Sequence, residues 1–223
     1  AIKAENPDYD VRVAMPLYAC IKQEYRDKME YITDIIVPLA WRQLYCGIFK
    51  LEKDGVIYYF IDNEYYFKRN EIYGSYDDGE RFAFFSSAVL HILPIIDFFP
   101  DILHAHDWQA AMSIALLRMQ YGKSPDYRRV RTVYTIHNLK YQGVFNWPFM
   151  DELLSIGAEH FTGESLEYYG DINFTKGALV YSDAITTVSP TYAGEIQSPE
   201  YGETLDGVLR WRSRDIYGIM NGI

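Results

Sequence analysis

An α/β fold with a mainly parallel sheet is predicted by three observations. Short β-branched runs alternate with segments of helical periodicity along most of the chain, the pattern of parallel βαβ units. Two of the apolar runs end abruptly in polar clusters, Asp101-Ile-Leu-His-Ala-His-Asp-Trp108 and Val130 to Ile136 followed by His137 to Gly143. Open α/β sheets bind ligands outside the carboxyl ends of their strands, so both clusters stand where a site is expected. A Lys53-Asp54-Gly55 turn between Leu44–Leu51 and Val56–Ile61 marks a β-hairpin inserted in or beside that sheet.

The elements follow in order. Asp10 to Met15 is a short buried strand stopped by Pro16. Phe82, Phe85, Val89 and Leu93 recur at helical spacing, giving a helix over 80–93 that ends at Pro94. Ile102 to Ala105 is a strand and Trp108 to Met119 a helix, with Asp107 as its N-cap. Val130 to Ile136 is the next strand, Phe174 to Tyr181 a helix, and Ala184 to Val188 a strand. Ser189-Pro190 then opens a helix with a capping serine and a first-turn proline. The strands near 11–15, 102–105, 131–136 and 184–188 are expected in one sheet. No repeat, low-complexity tract or Pro/Gly/Ser-rich linker interrupts the chain, so one domain over residues 1–223 is expected.

Composition excludes several classes. The formal charge of −10 over 223 residues argues against a nucleic-acid partner and against anionic membrane surfaces. No apolar stretch is long enough to span a bilayer. The start of the chain has no signal-peptide pattern. Cys20 and Cys46 form neither a CxxC pair nor a metal spacing, which suits reduced thiols in a cytoplasmic setting. The 21 tyrosines are mainly packing residues, with a lean toward sugar platforms. No GxG, GxxxxGK[ST] or GxSxG pattern occurs, which removes the dinucleotide fingerprint, the P-loop and the hydrolase elbow.

His104 and His106, two apart on a strand, point to the same side. A metal site would need further ligands, and structural histidines are the alternative to ligand contact. Asp77-Asp78-Gly79-Glu80-Arg81 precedes a helix, where acidic residues favour the macrodipole, and Arg81 suits a surface ion pair. His137 to Gly143 concentrates His, Asn, Lys, Tyr and Gln after a strand, an inventory suited to many hydroxyls, as a solvated loop also would be. Asn173-Phe-Thr-Lys-Gly177 resembles a helix start with a polar tip.

Together these segments resemble the bacterial glycogen synthase and plant starch synthase family. The resemblance is carried by His104-Ala-His-Asp-Trp108, Tyr134-Thr-Ile-His-Asn138 with Tyr141-Gln-Gly143, Asn173-Phe-Thr-Lys-Gly177, Ala184-Ile-Thr-Thr-Val-Ser-Pro190 with Tyr192-Ala193, and Asn221-Gly222-Ile223. It implies a Rossmann-like sheet, the N-terminal acceptor-side domain of a GT-B glycosyltransferase. It further implies transfer of glucose from ADP-glucose to an α-1,4-glucan with retention and without cofactor or bound metal. On that basis His106 and Asp77 are the catalytic residues, and His104, Asn138, Tyr141, Gln142 and Asn173 contact substrate. Retention usually implies a carboxylate nucleophile. None stands at a matched position, so same-face displacement is the analogy. The family's Lys-x-Gly-Gly-Leu loop has no counterpart here, and the Arg, Lys and Glu groups of its donor domain lie beyond these residues. The expectation is therefore an internal piece, incomplete at both ends, inactive and poorly stable alone. Sucrose- or trehalose-phosphate-forming GT-B enzymes and a non-catalytic glucan-binding domain are the alternatives.

Overall fold

The computed structural model describes residues 2–222, with the side chains of all of them except Phe149 and Met150. Ile223, the end of the Asn221-Gly222-Ile223 segment, lies outside the described residues. The chain divides into two compact units, Ala1–Ile92 and Leu93–Ile223. No described helix is long and apolar enough to cross a membrane.

The first unit contains α1 (Ile2–Glu5), β1 (Arg12–Pro16), α2 (Gln23–Arg26), β2 (Glu30–Leu39), β3 (Arg42–Lys53), β4 (Val56–Asp62), α3 (Glu64–Phe67) and α4 (Asp78–Ile92). Its four-stranded sheet has the order β1-β4-β3-β2. The β3–β4 hairpin closes at Lys53↔Val56. Both turn residues, Asp54 and Gly55, have positive φ, 54° and 73°, the geometry a two-residue hairpin requires. β2 and β3 form a second hairpin, Leu39↔Arg42.

The expectation of one sheet for all four predicted strands is corrected here. β1 runs parallel to β4, from Arg12↔Ile57 to Pro16↔Ile61, and belongs to a different sheet from the strands near 102, 131 and 184. The hairpin occupies only one edge of β4, and β1 satisfies the other. The Leu17 N–H extends the pairing by donating to the Ile61 carbonyl at 2.9 Å.

Arg81 is also corrected. It is fully buried, not a surface residue. Its guanidinium pairs with Asp78 and donates through Nε to the Tyr66 carbonyl (2.8 Å) and through Nη2 to the Ile72 carbonyl (3.1 Å). Asp78 in turn accepts from the Gly74 N–H at 2.6 Å. This network ties the 66–74 segment to the start of α4. The acidic pair that the macrodipole explains in part is therefore also a charge partner for a buried cation.

The second unit contains β5 (Ile102–His106), α5 (Asp107–Met119), β6 (Arg131–Ile136), β7 (Val144–Asn146), α6 (Trp147–Leu154), β8 (Glu167–Tyr168), β9 (Asp171–Asn173), α7 (Phe174–Tyr181), β10 (Ala184–Thr187), α8 (Pro190–Glu195), α9 (Asp206–Trp211) and β11 (Ile216–Gly218). The main sheet is parallel throughout, in the order β11-β10-β6-β5. β7, β9 and β8 form a small antiparallel sheet. α5 and α7 are buried along most of their length. They meet closely at Gly177, where a Cβ would lie 2.6 Å from Leu166 Cδ2 and 3.5 Å from Ala115 Cβ.

The amino ends of the sheet strands are stitched by Asp183. Its carboxylate accepts from Arg118 (2.6 Å), Arg131 (3.1 Å), the Thr132 N–H (2.7 Å) and the Thr132 hydroxyl (3.0 Å).

Removing one member of a buried ion pair leaves the other charge unpaired, a loss of about 3–5 kcal/mol. Arg81→Ala is therefore expected to lower unfolding stability by that amount. Denaturant titration checks it, and an unchanged midpoint would refute the assignment of Arg81 as the anchor of α4.

Candidate active site

The register places three strand ends side by side. His106 pairs with Thr135 across β5 and β6, and Ile136 pairs with Thr187 across β6 and β10. The residues that follow, Asp107, His137, Asn138 and Ser189, therefore emerge at the same end of the sheet, where ligands of such folds bind.

Asp107 is not the capping residue expected. His106 occupies the N-cap with extended backbone and no side-chain cap bond. Asp107 is the first helical residue and has φ of +54°, a left-handed conformation that aspartate tolerates better than most residues. This bend frees its carboxylate from the helix. Oδ1 instead accepts from the backbone N–H of His137 (2.8 Å) and of Asn138 (3.4 Å). The end of β6 is thus tied to the start of α5. Asn138 Oδ1 accepts from the Lys140 N–H at 3.1 Å, a local turn. The Leu139 N–H donates to the Tyr192 hydroxyl at 3.3 Å. Ser189 caps α8 as expected, accepting from the Tyr192 N–H at 2.9 Å.

Three imidazoles stand at this end. His104 and His106 share a face, their rings stacked at 4.2 Å and 28°. His106 Nδ1 lies 3.0 Å from His137 Nε2. His104 Nε2 bonds to the Thr135 hydroxyl at 2.6 Å, and Thr135 bonds to the Thr186 hydroxyl at 2.6 Å. His104 keeps an exposed edge, but partial desolvation of its ring among its neighbours pushes the pKa from 6.5 down to about 4, assisted by repulsion from His106 and His137. His106 is lowered too, by burial first and then by His137, with Asp107 acting in the opposite direction. Both rings are neutral at pH 7 and suited to hydrogen bonding. Among the described residues no group of three or more His, Cys, Asp or Glu side chains is arranged to hold a metal ion.

A sequence model of the starch synthase catalytic domain matches residues 3–211. The chain belongs to this family. It is 54% identical over 219 residues to a glycogen synthase of Desulforamulus reducens, a match covering 98% of this chain and 46% of that protein. It is 55% identical over 215 residues to one of Clostridium novyi, covering 96% and 45%. The catalytic domain of starch synthase IV from Arabidopsis thaliana, solved with ADP and acarbose, superposes with a TM-score of 0.90 at 29% identity. That match covers 98% of this chain and 46% of the other. The chain spans about half the length of the curated relatives it matches. The Rossmann-like α/β fold of a GT-B domain follows from this likeness and from the parallel sheet.

Within this starch synthase-family chain the predicted site residues separate into two groups. His104, His106, Asn138 and Tyr141 are exposed at the sheet end or in the loop after it. Gln142 and Asn173, expected to line a sugar site, are buried. Asn173 Nδ2 donates to Gln142 Oε1 (2.6 Å), and Asn173 Oδ1 caps α7 by accepting from the Lys176 N–H (2.9 Å). Gln142 Nε2 donates to the Glu203 carbonyl at 2.8 Å. These amides hold the loop from beneath. Gly143 completes the support: its φ is +64°, and a Cβ there would come within 2.5 Å of the Trp108 ring. Asp77 lies in the first unit, buried, gripped by both terminal nitrogens of Arg69 at 2.6 Å. That hydrogen-bonded pairing outweighs burial and lowers its pKa, so it is a carboxylate. His137 belongs to the polar inventory read after this strand but was given no catalytic or binding role there. Its position directly after β6, beside Asn138, was the available signal.

The sign of the His104 shift sets a pH dependence. The folded state holds His104 neutral down to about pH 4, whereas the unfolded chain takes up a proton near 6.5. The unfolded state therefore binds more protons between these values, and stability falls as pH drops through that window. His104→Gln is expected to show a smaller fall in melting temperature between pH 7 and pH 5, in steps of about one pH unit. Equal falls for both proteins would rule out His104 as a source.

Proposed function

We propose that the full-length protein elongates an α-1,4-glucan by retaining transfer of glucose from ADP-glucose, and that this chain supplies its acceptor-side half. The observation that carries the reading is the cluster of three imidazoles at the joined strand ends, in a chain of the starch synthase family. Cleavage of the donor bond leaves charge on a diphosphate and positive character on the sugar. A neutral, fixed imidazole beside the transferring glucose orients a hydroxyl without adding repulsion, and positioning of this kind is a main source of catalysis. In this reading His106 contacts the transferring glucose. Asn138 and Tyr141 line the sugar sites with His104, and Gln142 and Asn173 support that loop. Asp77, in the first unit and held charged by Arg69, is the second catalytic residue of this reading. The two free thiols Cys20 and Cys46 suit a reducing, cytoplasmic setting.

Labelled ADP-glucose incubated with full-length protein and glycogen tests the activity directly. Incorporation is expected. Glucan binding without incorporation would favour a binding module, and transfer only to fructose or glucose phosphate acceptors would favour the sucrose- or trehalose-phosphate type. His106→Ala should lower turnover about tenfold to a thousandfold, for loss of one contact of about 1.4–4 kcal/mol, with the melting temperature little changed. Near-native turnover would remove His106 from the mechanism.

Residues 1–223 alone are expected to transfer no glucose, because the relatives matched here are about twice as long and a donor diphosphate demands charge stabilisation of its own. Incorporation above a no-protein control would show that the machinery is more local.

A further inference from the structure

We propose that His137 is a positioning residue that fixes the tautomer of His106, so that His106 presents Nε2–H toward the sugar. The inference rests on the reading of His106 above and deepens it. His106 Nδ1 faces His137 Nε2 at 3.0 Å, and the two rings are tilted by only 31° with centroids 5.3 Å apart. Among the described residues none bonds the remaining nitrogen, Nε2 of His106.

A hydrogen bond between two neutral imidazoles needs one donor and one acceptor. Two arrangements satisfy the contact. In one, His137 donates Nε2–H to His106 Nδ1, and both rings carry their proton on Nε2, the tautomer that neutral histidine prefers intrinsically. In the other, His106 donates Nδ1–H, and both rings hold the less favoured tautomer. The contact accommodates both, and the intrinsic preference of the two rings favours the first. His106 itself is held neutral at pH 7 by its lowered pKa, with the His104 ring stacked on it at 4.2 Å.

The position of His137 is itself fixed, because its backbone N–H donates to Asp107 Oδ1 at 2.8 Å. One carboxylate thus sets the backbone of the residue whose ring sets the tautomer of its neighbour. Partners of this kind orient a functional imidazole by the bond made to its other nitrogen. The outcome is an Nε2–H donor aimed at an oxygen acceptor, a sugar hydroxyl or ring oxygen.

Nitrogen-15 chemical shifts of the histidine rings in the full-length protein at neutral pH test this without reference to turnover. The expected pattern is an unprotonated Nδ1 and a protonated Nε2 on His106. His137→Ala should move both shifts toward tautomer averaging. His137→Gln, whose amide can donate in the same place, should restore them. In the glucan assay His137→Ala should lower kcat about tenfold to a hundredfold with a smaller change in KM, and His137→Gln should recover most of it. A protonated Nδ1 on His106 in the unaltered protein overturns the proposal, as do shifts indifferent to His137→Ala. If the shifts behave as stated and no glucose is transferred, the tautomer assignment stands and the proposed activity falls.

Discussion

The carboxylate of Asp107 is the contact on which the sheet end of the second unit depends. Parallel strands finish separately, and nothing in the sheet ladder fixes the loops beyond them. By adopting a left-handed backbone, Asp107 turns its side chain away from the helix it begins and across to the chain leaving β6. An exposed loop residue gains a charge-assisted pair of bonds, stronger than neutral ones. The β5 and β6 ends then behave as one piece, and the imidazoles carried on both are held in register.

Beneath this piece lies a second layer. Gln142 and Asn173 offer almost nothing to solvent, yet with Gly143 they carry Tyr141 and Asn138. Trp108 packs against the backbone at Gly143, so the helix that begins at the site also supports the loop opposite it. Buried charges elsewhere follow the same rule of specific pairing. Arg81 with Asp78, and Asp77 with Arg69, are the first unit's instances.

The elements legible in the sequence were those with strong local signals. Asp54-Gly55 announces its hairpin because both residues accept positive φ. The β2–β3 hairpin turns at Ala40-Trp41, with Ala40 at φ of 51°, and carries no such signature. α7 is bounded as expected, from its Asn173 cap to Tyr181. The strands β7, β8 and β9, two or three residues long, are too short for an alternation to show. β1 was recognisable as a strand, but its partner was not, since pairing depends on which edge of β4 remains open. At the site, the shared face of His104 and His106 follows from strand periodicity. The link from His106 to His137 spans 31 residues and exists only through the fold. Composition likewise could not tell outward amides such as Asn138 from inward ones such as Gln142, because both belong to the same polar run.

The two ends of the parallel sheet carry different burdens. At the amino end, Asp183 gathers four donors from Arg118, Arg131 and Thr132. That end supplies cohesion and leaves little freedom to vary. Asp107 holds the far end through backbone N–H groups, so the histidine rings there can be exchanged for other donors and acceptors at modest risk to folding. The sheet is in this respect a scaffold with a fixed foot and an editable head, and diversification of ligand preference, in evolution or by design, has its natural place at positions 104, 106 and 137.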